Sequence, residues 1–354
     1  MDKVKSDLHI HLDNNINEKA VKHVLSLAEK NGVKAVCLLE HNELNLYKKG
    51  GVLASLIKSG ELSQIYSGKI VPGCEVTCIV NKTDPTKYAF NFNNYYVHLT
   101  MLDFDIEKAE HVKWFNKKFQ NKIFKKDVKQ VIKMLKQLKL EVPKKDYFVF
   151  EKGVPRQVWE YMHKDAKRLA KYENVLGKFE TCADFVRVIF EDPNSKLWFK
   201  QARTPYLTEV IQYVREIGAR IFISHPCHMN KKFATTSYMD ALINVDAGYS
   251  FPFDGIETKY FLNTPIDTKV LEDYALARNL EMSGGTDYQY LVSERNPEGK
   301  MVLLNNGERT YYVPVPGTMI RTLLETRNGD LLLSKKFIDG LSDIRDQKRF
   351  SFKR

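Results

Sequence analysis

The stretch Asp7-Leu8-His9-Ile10-His11 sets two imidazoles two residues apart, with an acid two residues before the first. In an extended strand, residues at i and i+2 share a face, so both rings can grip one cation from the same side. A half-buried strand has no packing reason to gather such groups. Similar residues recur along the chain: His41 in Leu38-Leu39-Glu40-His41, Glu75 in Pro72-Gly73-Cys74-Glu75, His98 in Tyr96-Val97-His98-Leu99, His225 in Ser224-His225-Pro226, and Asp287 in Gly285-Thr286-Asp287. Any one of them reads equally well as a hydrogen-bonded core residue, and His228 as a loop histidine. Together, with no cation among them, they would be a costly collection of desolvated polar groups. A nitrogen-and-oxygen donor set suits Mn²⁺, Fe²⁺ or Zn²⁺ better than Mg²⁺. Cys74, beside Glu75, alternates to the opposite face and reads as core.

Short β-branched runs alternate with helical patterns, which indicates βα units and a mainly parallel sheet. Seven strands are expected, near Val4–His9, Lys34–Leu39, Lys69–Cys78, Tyr95–Leu102, Arg220–Ser224, Asp254–Glu257 and Leu280–Ser283. Helices are expected at Glu18–Asn31, Val52–Ile65, Pro205–Ile217 and Asp267–Asn279, with Gly32 and Gly218 closing the first and third and Pro205 in the first turn of its helix. In parallel α/β folds, functional groups collect at the carboxyl ends of strands. Six of the seven strands carry a histidine or acid there. Past Asp287 come turn signals (Asn296–Pro297, Asn305–Asn306–Gly307), a strand near Tyr311–Val315, a helix near Thr318–Thr326 and a basic tail.

The 354 residues, 43% apolar and 28% charged, are ordinary globular composition, which excludes disordered and collagen-like classes. No run reaches the roughly 18 apolar residues of a membrane span. The first residues hold no apolar signal core, and the five cysteines form no CxxC pair, so a reducing cytoplasm is expected. The net charge is +11, and residues 106–180 hold twenty Lys or Arg against ten Asp or Glu. Such a basic segment suits a nucleotide or nucleic-acid partner, or is a solvated lysine-rich helix face over 127–139, where Val128, Val131, Ile132, Leu135 and Leu138 keep helical spacing.

These motifs, in this order, resemble the PHP (polymerase and histidinol phosphatase) family: DLHIH at Asp7–His11, EH at Glu40–His41, PGCE at Pro72–Glu75, His98, SHP at Ser224–Pro226 and GTD at Gly285–Asp287. The resemblance spans about residues 1–105 and 205–290. It implies a distorted (βα)7 barrel, with residues 106–204 as a helical, lysine-rich insertion between strands 4 and 5 and 291–354 as an extension packed on the barrel. The members most similar to it carry such an insertion and act as nucleotide phosphatases or 5′-to-3′ exonucleases. Carried over, one divalent ion would be held by His9, His11, Glu75 and Asp287, and a second by Glu75, His98 and His225. The family's third site would use an acid or histidine near Asn15–Asn17, where Asp13 is a displaced candidate, the histidine matched by His41, and a position occupied here by Gln289. The implied centre is dinuclear, with a loosely held third ion at Glu40, His41 and Asp13 as the alternative. Asp7 would orient a ligand histidine, and Arg156 would hold a substrate phosphate. The implied activity is phosphoester hydrolysis on a nucleotide or nucleic-acid end, with His225, His41 and Glu75 in catalytic roles and no protein partner specified. Rival readings are a histidinol-phosphate-type phosphatase, a non-catalytic nucleic-acid-binding module, and an amidohydrolase, whose carboxylated lysine has no strand-end counterpart here.

Overall fold

The computed structural model describes residues 6–12, 16–81, 94–149, 153–200, 204–229, 235–244, 252–260, 263–293, 296–305 and 308–311, and side chains among these except at 117–119, 183 and 288–311. Asp13, the Gln289 side chain, the expected helix near 318–326 and the basic tail lie outside them. The strands are β1 Ser6–His11, β2 Ala35–Leu39, β3 Lys69–Ile70, β4 Gly73–Ile79, β5 Tyr96–Leu102, β6 Arg220–Ile223, β7 Gly255–Tyr260, β8 Glu281–Gly285, β9 Tyr288–Ser293, β10 Asn296–Asn305 and β11 Glu308–Tyr311.

They form two sheets, β11-β10-β9-β1-β2-β3 and β4-β5-β6-β7-β8. The expectation of one seven-stranded barrel is therefore corrected: among the described residues no ladder closes a ring. Instead the sheets abut at two seams. At one, the Asp287 amide donates to the His9 carbonyl at 2.8 Å, and at the other the Glu75 amide donates to the Glu40 carbonyl at 3.1 Å. The expected parallel pairing is present in β1–β2–β3, β1–β9 and β6–β7–β8, but β5 runs antiparallel to both β4 and β6. An antiparallel pair requires no crossover helix, and the sequence between Ile79 and Tyr96, with Pro85, has no helical pattern. The region read as turn-rich after Asp287 supplies β9 to β11, which extend the first sheet beyond β1.

Strand alternation divides the apolar residues. Val36 and Leu38 face the helices, while Ala35, Cys37 and Leu39 meet Leu8, Val71, Leu102 and Phe222 between the sheets. In β1 the alternation is broken on purpose. Its register against β2 shifts between Asp7 and Ile10, and a bulge of this kind puts two successive residues on one side. Leu8 thus fills the floor between the sheets, while Ile10 and Leu12 pack outward against the helices. His9 and His11 are left lining the space above Leu8.

The helices form for ordinary reasons. Glu18–Lys30 starts on the Asn17 side chain, which accepts from the Ala20 amide, and ends before Gly32 at φ +66°. The run expected at Val52–Ile65 is split by Gly60, a left-handed C-cap, into Val52–Ser59 and Leu62–Ile65. Pro205 stands outside its helix, which begins at Leu207, and it is Pro265 that occupies a first turn, in Pro265–Ala277.

Residues 124–199 build a second apolar cluster, centred on Val131, Leu135, Val158, Tyr172, Phe185, Phe190 and Leu197. Its helices include Lys117–Gln137, Val154–Met162 and Ala166–Leu176, followed by a π-helical turn at Val186–Glu191. No described helix is long and apolar enough to cross a membrane. All five cysteines are unbridged.

Candidate metal centre

Where the two sheets abut, five imidazoles surround one carboxylate. Glu75 is 1% exposed, and its two oxygens face different partners. Oε1 lies 3.1 Å from His225 Nε2, 3.2 Å from His98 Nδ1 and 3.5 Å from His9 Nε2. Oε2 lies 2.8 Å from His41 Nε2 and 3.4 Å from His11 Nε2. Asp287 closes the opposite side, its Oδ1 3.1 Å from His11 Nε2 and 3.7 Å from His9 Nε2. Three overlapping sets of donor atoms lie within 4.8 Å of one another: His9, Glu75 and His225; His9, His11 and Asp287; His11, His41 and Glu75. Divalent cations of the N/O-preferring kind fit such sets.

Each side chain of the cluster is delivered by a local device. His9 and His11 follow the β1 bulge. His98 stands in the first half of β5 rather than at a carboxyl end, because β5 runs against its neighbours. It pairs across the ladder with Thr77, leaving Glu75 as the diagonal neighbour. His225, at φ +28°, and Asp287, at φ +50°, both adopt the left-handed backbone that L-residues avoid, a strain typical of functional turns. Gly285 permits the approach of β8 to β1: a Cβ there would meet the His9 Cβ at 2.2 Å.

The surrounding polar groups hold these turns in place. Asp7, expected to orient a histidine ring, instead accepts from Thr286 Oγ1 at 2.6 Å and the Thr286 amide at 3.1 Å, and from the His9 amide at 3.3 Å. It therefore positions the turn that carries Asp287, and burial lifts its carboxyl to about 6. Glu40, expected at a third ion, accepts from the Leu46 amide at 2.6 Å and Asn45 Nδ2 at 3.0 Å. Strand alternation turns it away from His41 and into the 42–46 loop. Arg156 is not brought to the cluster. It is exposed on the helix Val154–Met162, with its Nε 3.3 Å from Glu160 Oε1 one turn on, because that helix buries the face of Val154, Gln157, Val158 and Met162 instead.

Three residues outside the expected set belong to the site. Glu257, 2% exposed, is 3.0 Å from His9 Nδ1 with one oxygen and accepts the His225 amide at 2.7 Å with the other. Tyr260 donates to Asp287 Oδ2 at 2.8 Å, and its ring lies 5.0 Å from that of His225 and 5.1 Å from that of His228. Glu191, the last residue of the π-turn, is near enough to His98 for their charges to interact. Glu257 and Tyr260 occupy the one strand that offered no expected ligand. An acid within Gly255-Ile256-Glu257-Thr258, an otherwise buried strand, was the available signal.

The electrostatics favour added positive charge. Burial pushes the His9 imidazole down, yet Glu257, Glu75 and Asp287 outweigh it and hold it well above its ordinary value. Burial likewise opposes the charged His225, and Glu75 again raises it. Burial would lift Glu75, but His98, His9, His225 and His41 hold it well below the carboxylate range. Protons on imidazoles and cations between them are alternative ways to neutralise the same carboxylates.

The chain matches no family model and no curated protein. Among solved structures it is similar to a "putative metal-dependent phosphoesterase" from Bifidobacterium adolescentis, at 17% identity over 92% of this chain and 96% of that one, TM-score 0.53. It is also similar to an amidohydrolase from Chromobacterium violaceum, determined with bound sulfate and no metal, at 14% identity over 80% of this chain and 87% of that one, TM-score 0.51. The likeness is one of fold.

Proposed function

We propose that this chain is a metal-dependent phosphohydrolase of the PHP kind, acting on a phosphate ester of a nucleotide or nucleic-acid end. The observation that carries the reading is the single Glu75 carboxylate, whose two oxygens face His9, His98 and His225 on one side and His11 and His41 on the other. A carboxylate with imidazoles at both oxygens could be shared between cations. His9, His11, Glu75 and Asp287 would hold one ion, and Glu75, His98 and His225 a second, with His41 beside a weaker third position. Ions there would polarise phosphoryl oxygens and lower the pKa of water.

The chain's own residues divide the remaining work. Glu257 fixes the His9 ring through Nδ1, leaving Nε2 toward the ligand cluster. Tyr260 and Asp7 fix the two ends of the Asp287 turn. His225 is 8% exposed and serves as a ligand. His41, 34% exposed and stacked on His11 at 4.0 Å, is the most exposed imidazole of the cluster, ahead of His98 at 24%. His41 is therefore assigned the proton transfer to the leaving group. Residues 106–204 are assigned to a substrate-binding insertion on the hydrolase core.

The test loads purified protein with Mn²⁺, Fe²⁺ or Zn²⁺ and counts bound ions against an Asp287→Ala variant. Hydrolysis is then compared across p-nitrophenyl phosphate, histidinol phosphate, 3′,5′-bisphosphate nucleotides, 5′-phosphorylated oligonucleotides and a p-nitroanilide amide. Two or more ions and chelator-sensitive phosphate release are expected. Amide cleavage without phosphate release, or equal metal content in the variant, would overturn the assignment.

A further inference from the structure

The helix Lys117–Gln137 has two faces of opposite character. Phe124, Val128, Val131 and Leu135 are buried in the insertion core. The opposite face carries Lys122, Lys125, Lys126, Lys129, Lys133 and Lys136, all exposed. Their spacing of three and four residues aligns them in one stripe. Part of this stripe is more than a solvated face. Lys129, Lys133 and Lys136 meet Lys145, from the turn Lys145–Tyr147, around a concavity of about 540 Å³ whose remaining lining is Ile132 and Gln137. Four exposed lysines from two segments thus line one shallow, open concavity with no acid in its lining. Exposed like charges repel only weakly through solvent, but their fields add, so an anion seated among them is attracted by all four.

The helix also has a fixed relation to the metal centre. Gln120, in its first turn, donates to the carbonyl of Asn42 at 3.0 Å, next to His41. At about 1.5 Å per residue, Lys129 stands roughly 14 Å and Lys136 roughly 24 Å along the axis from that contact.

We propose that this lysine-lined hollow binds the sugar–phosphate backbone of a single nucleic-acid strand, several nucleotides from the end presented to the metal centre. The inference deepens the phosphohydrolase reading by naming its substrate as a strand rather than a mononucleotide. A strand, unlike a free phosphate, offers repeated charges to match a row of ammonium groups, and Ile132 offers an apolar contact for a sugar or base. At the stacked rise of about 3.4 Å per nucleotide, 14–24 Å corresponds to about four to seven nucleotides.

The experiment uses the full chain and single-stranded DNA oligonucleotides of two, four, eight and sixteen nucleotides, phosphorylated at the 5′ end and carrying fluorescein at the 3′ end. Anisotropy is followed over a salt series, for the wild type and for a variant combining Lys129→Ala, Lys133→Ala, Lys136→Ala and Lys145→Ala. All four positions are on the surface, and circular dichroism checks the fold. Affinity should rise between four and eight nucleotides and then level off. The variant should bind the eight-mer at least tenfold more weakly, with a log–log salt slope shallower by about 3, from roughly 0.7 per phosphate contact. Equal oligonucleotide affinity in the two proteins, or a loss seen only on phosphatidylserine vesicles, overturns the proposal. Binding is read without turnover, so a chain that grips oligonucleotides but hydrolyses no ester defeats the enzymatic reading and leaves the groove standing.

Discussion

Two apolar regions of this molecule treat charge in opposite ways. Around Leu8, Cys37 and Phe222 the space between the sheets opens onto His9, His11, Glu75 and Glu257, each no more than 2% exposed. Across residues 124–199, the interior around Val131, Leu135, Phe185 and Phe190 is mostly apolar chains and rings; Asp127 and Gln157 are its buried polar side chains, Gln157 bonded to the Val149 and Gly153 backbone, while the helix lysines are exposed. The first region gathers titratable groups that packing alone would reject, and the second buries few polar side chains, as a domain core ordinarily does. Removing a side chain should therefore cost ion binding and turnover in the first region, and folding stability in the second.

The largest expected effect is at the centre of the contrast. Glu75→Ala removes the carboxylate facing five imidazoles and should lower kcat/KM on a phosphate ester by at least about a thousandfold, or about 4 kcal/mol at the transition state. Metal analysis should show loss of ions. A variant that keeps both its ions and its turnover would dissolve the distinction between the regions.

Next comes the opposite pole. Phe185 is fully buried, with ring contacts to Trp159 at 5.3 Å, Phe179 at 5.5 Å and Phe190 at 5.7 Å. Phe185→Ala should cost about 3–5 kcal/mol by chemical denaturation, through lost transfer energy and a residual cavity. Ion stoichiometry should stay unchanged, since no donor atom is touched.

How much of this the sequence disclosed depends on how local the cause was. The His9–His11 pair, the SHP turn and the GTD turn were legible because each interrupts an apolar strand with polar groups at fixed spacing. The β1 bulge was not, because period-two alternation puts Leu8 and Ile10 on one face, while the shifted register sends Ile10 outward. The reversal of β5 was hidden for a similar reason: a strand's direction is set by its partners, and His98 reads the same either way. Glu257 escaped because a lone acid in a strand resembles an ordinary polar residue until both of its oxygens find partners. Glu40 misled through its neighbour, since adjacent residues in a strand point to opposite faces. Arg156 was offered by a motif, and its helix turns it to solvent.

Glu257 gives a finer test of the buried region. Glu257→Gln keeps the shape and removes the charge that fixes His9, and should weaken ion affinity about 10–100-fold. Titration followed by calorimetry reads this directly, and no change would mean that the ring is held by packing alone. Acidity probes the same network. The carboxylates hold His9 and His225 above the ordinary 6.5 in the ion-free protein, so protons compete with cations from a higher pH than free imidazole would allow. Ion affinity should fall as pH drops from 8 to 6, with protons released on binding. A flat profile would contradict the assignment of these two rings as ligands.

The smallest effect compares one residue type in both settings. Asp165 caps the helix Ala166–Leu176 by accepting the Arg168 amide at 2.8 Å. Asp287 is an aspartate too, but it faces His9 and His11. Asp165→Ala should cost about 1 kcal/mol of stability, the usual worth of a cap, and leave ion affinity and turnover at wild-type values. Asp287→Ala should do the reverse: in the ion-free protein it removes a partly buried acid that constrains a strained turn, so its stability cost can be small while ion binding is lost. Denaturation midpoints and metal titrations of the two variants, run side by side, give the pattern. If Asp165→Ala also weakened ion binding, residues 124–199 and the histidine cluster would be coupled through the helices between them, and the separation of roles between the two regions would have to be withdrawn.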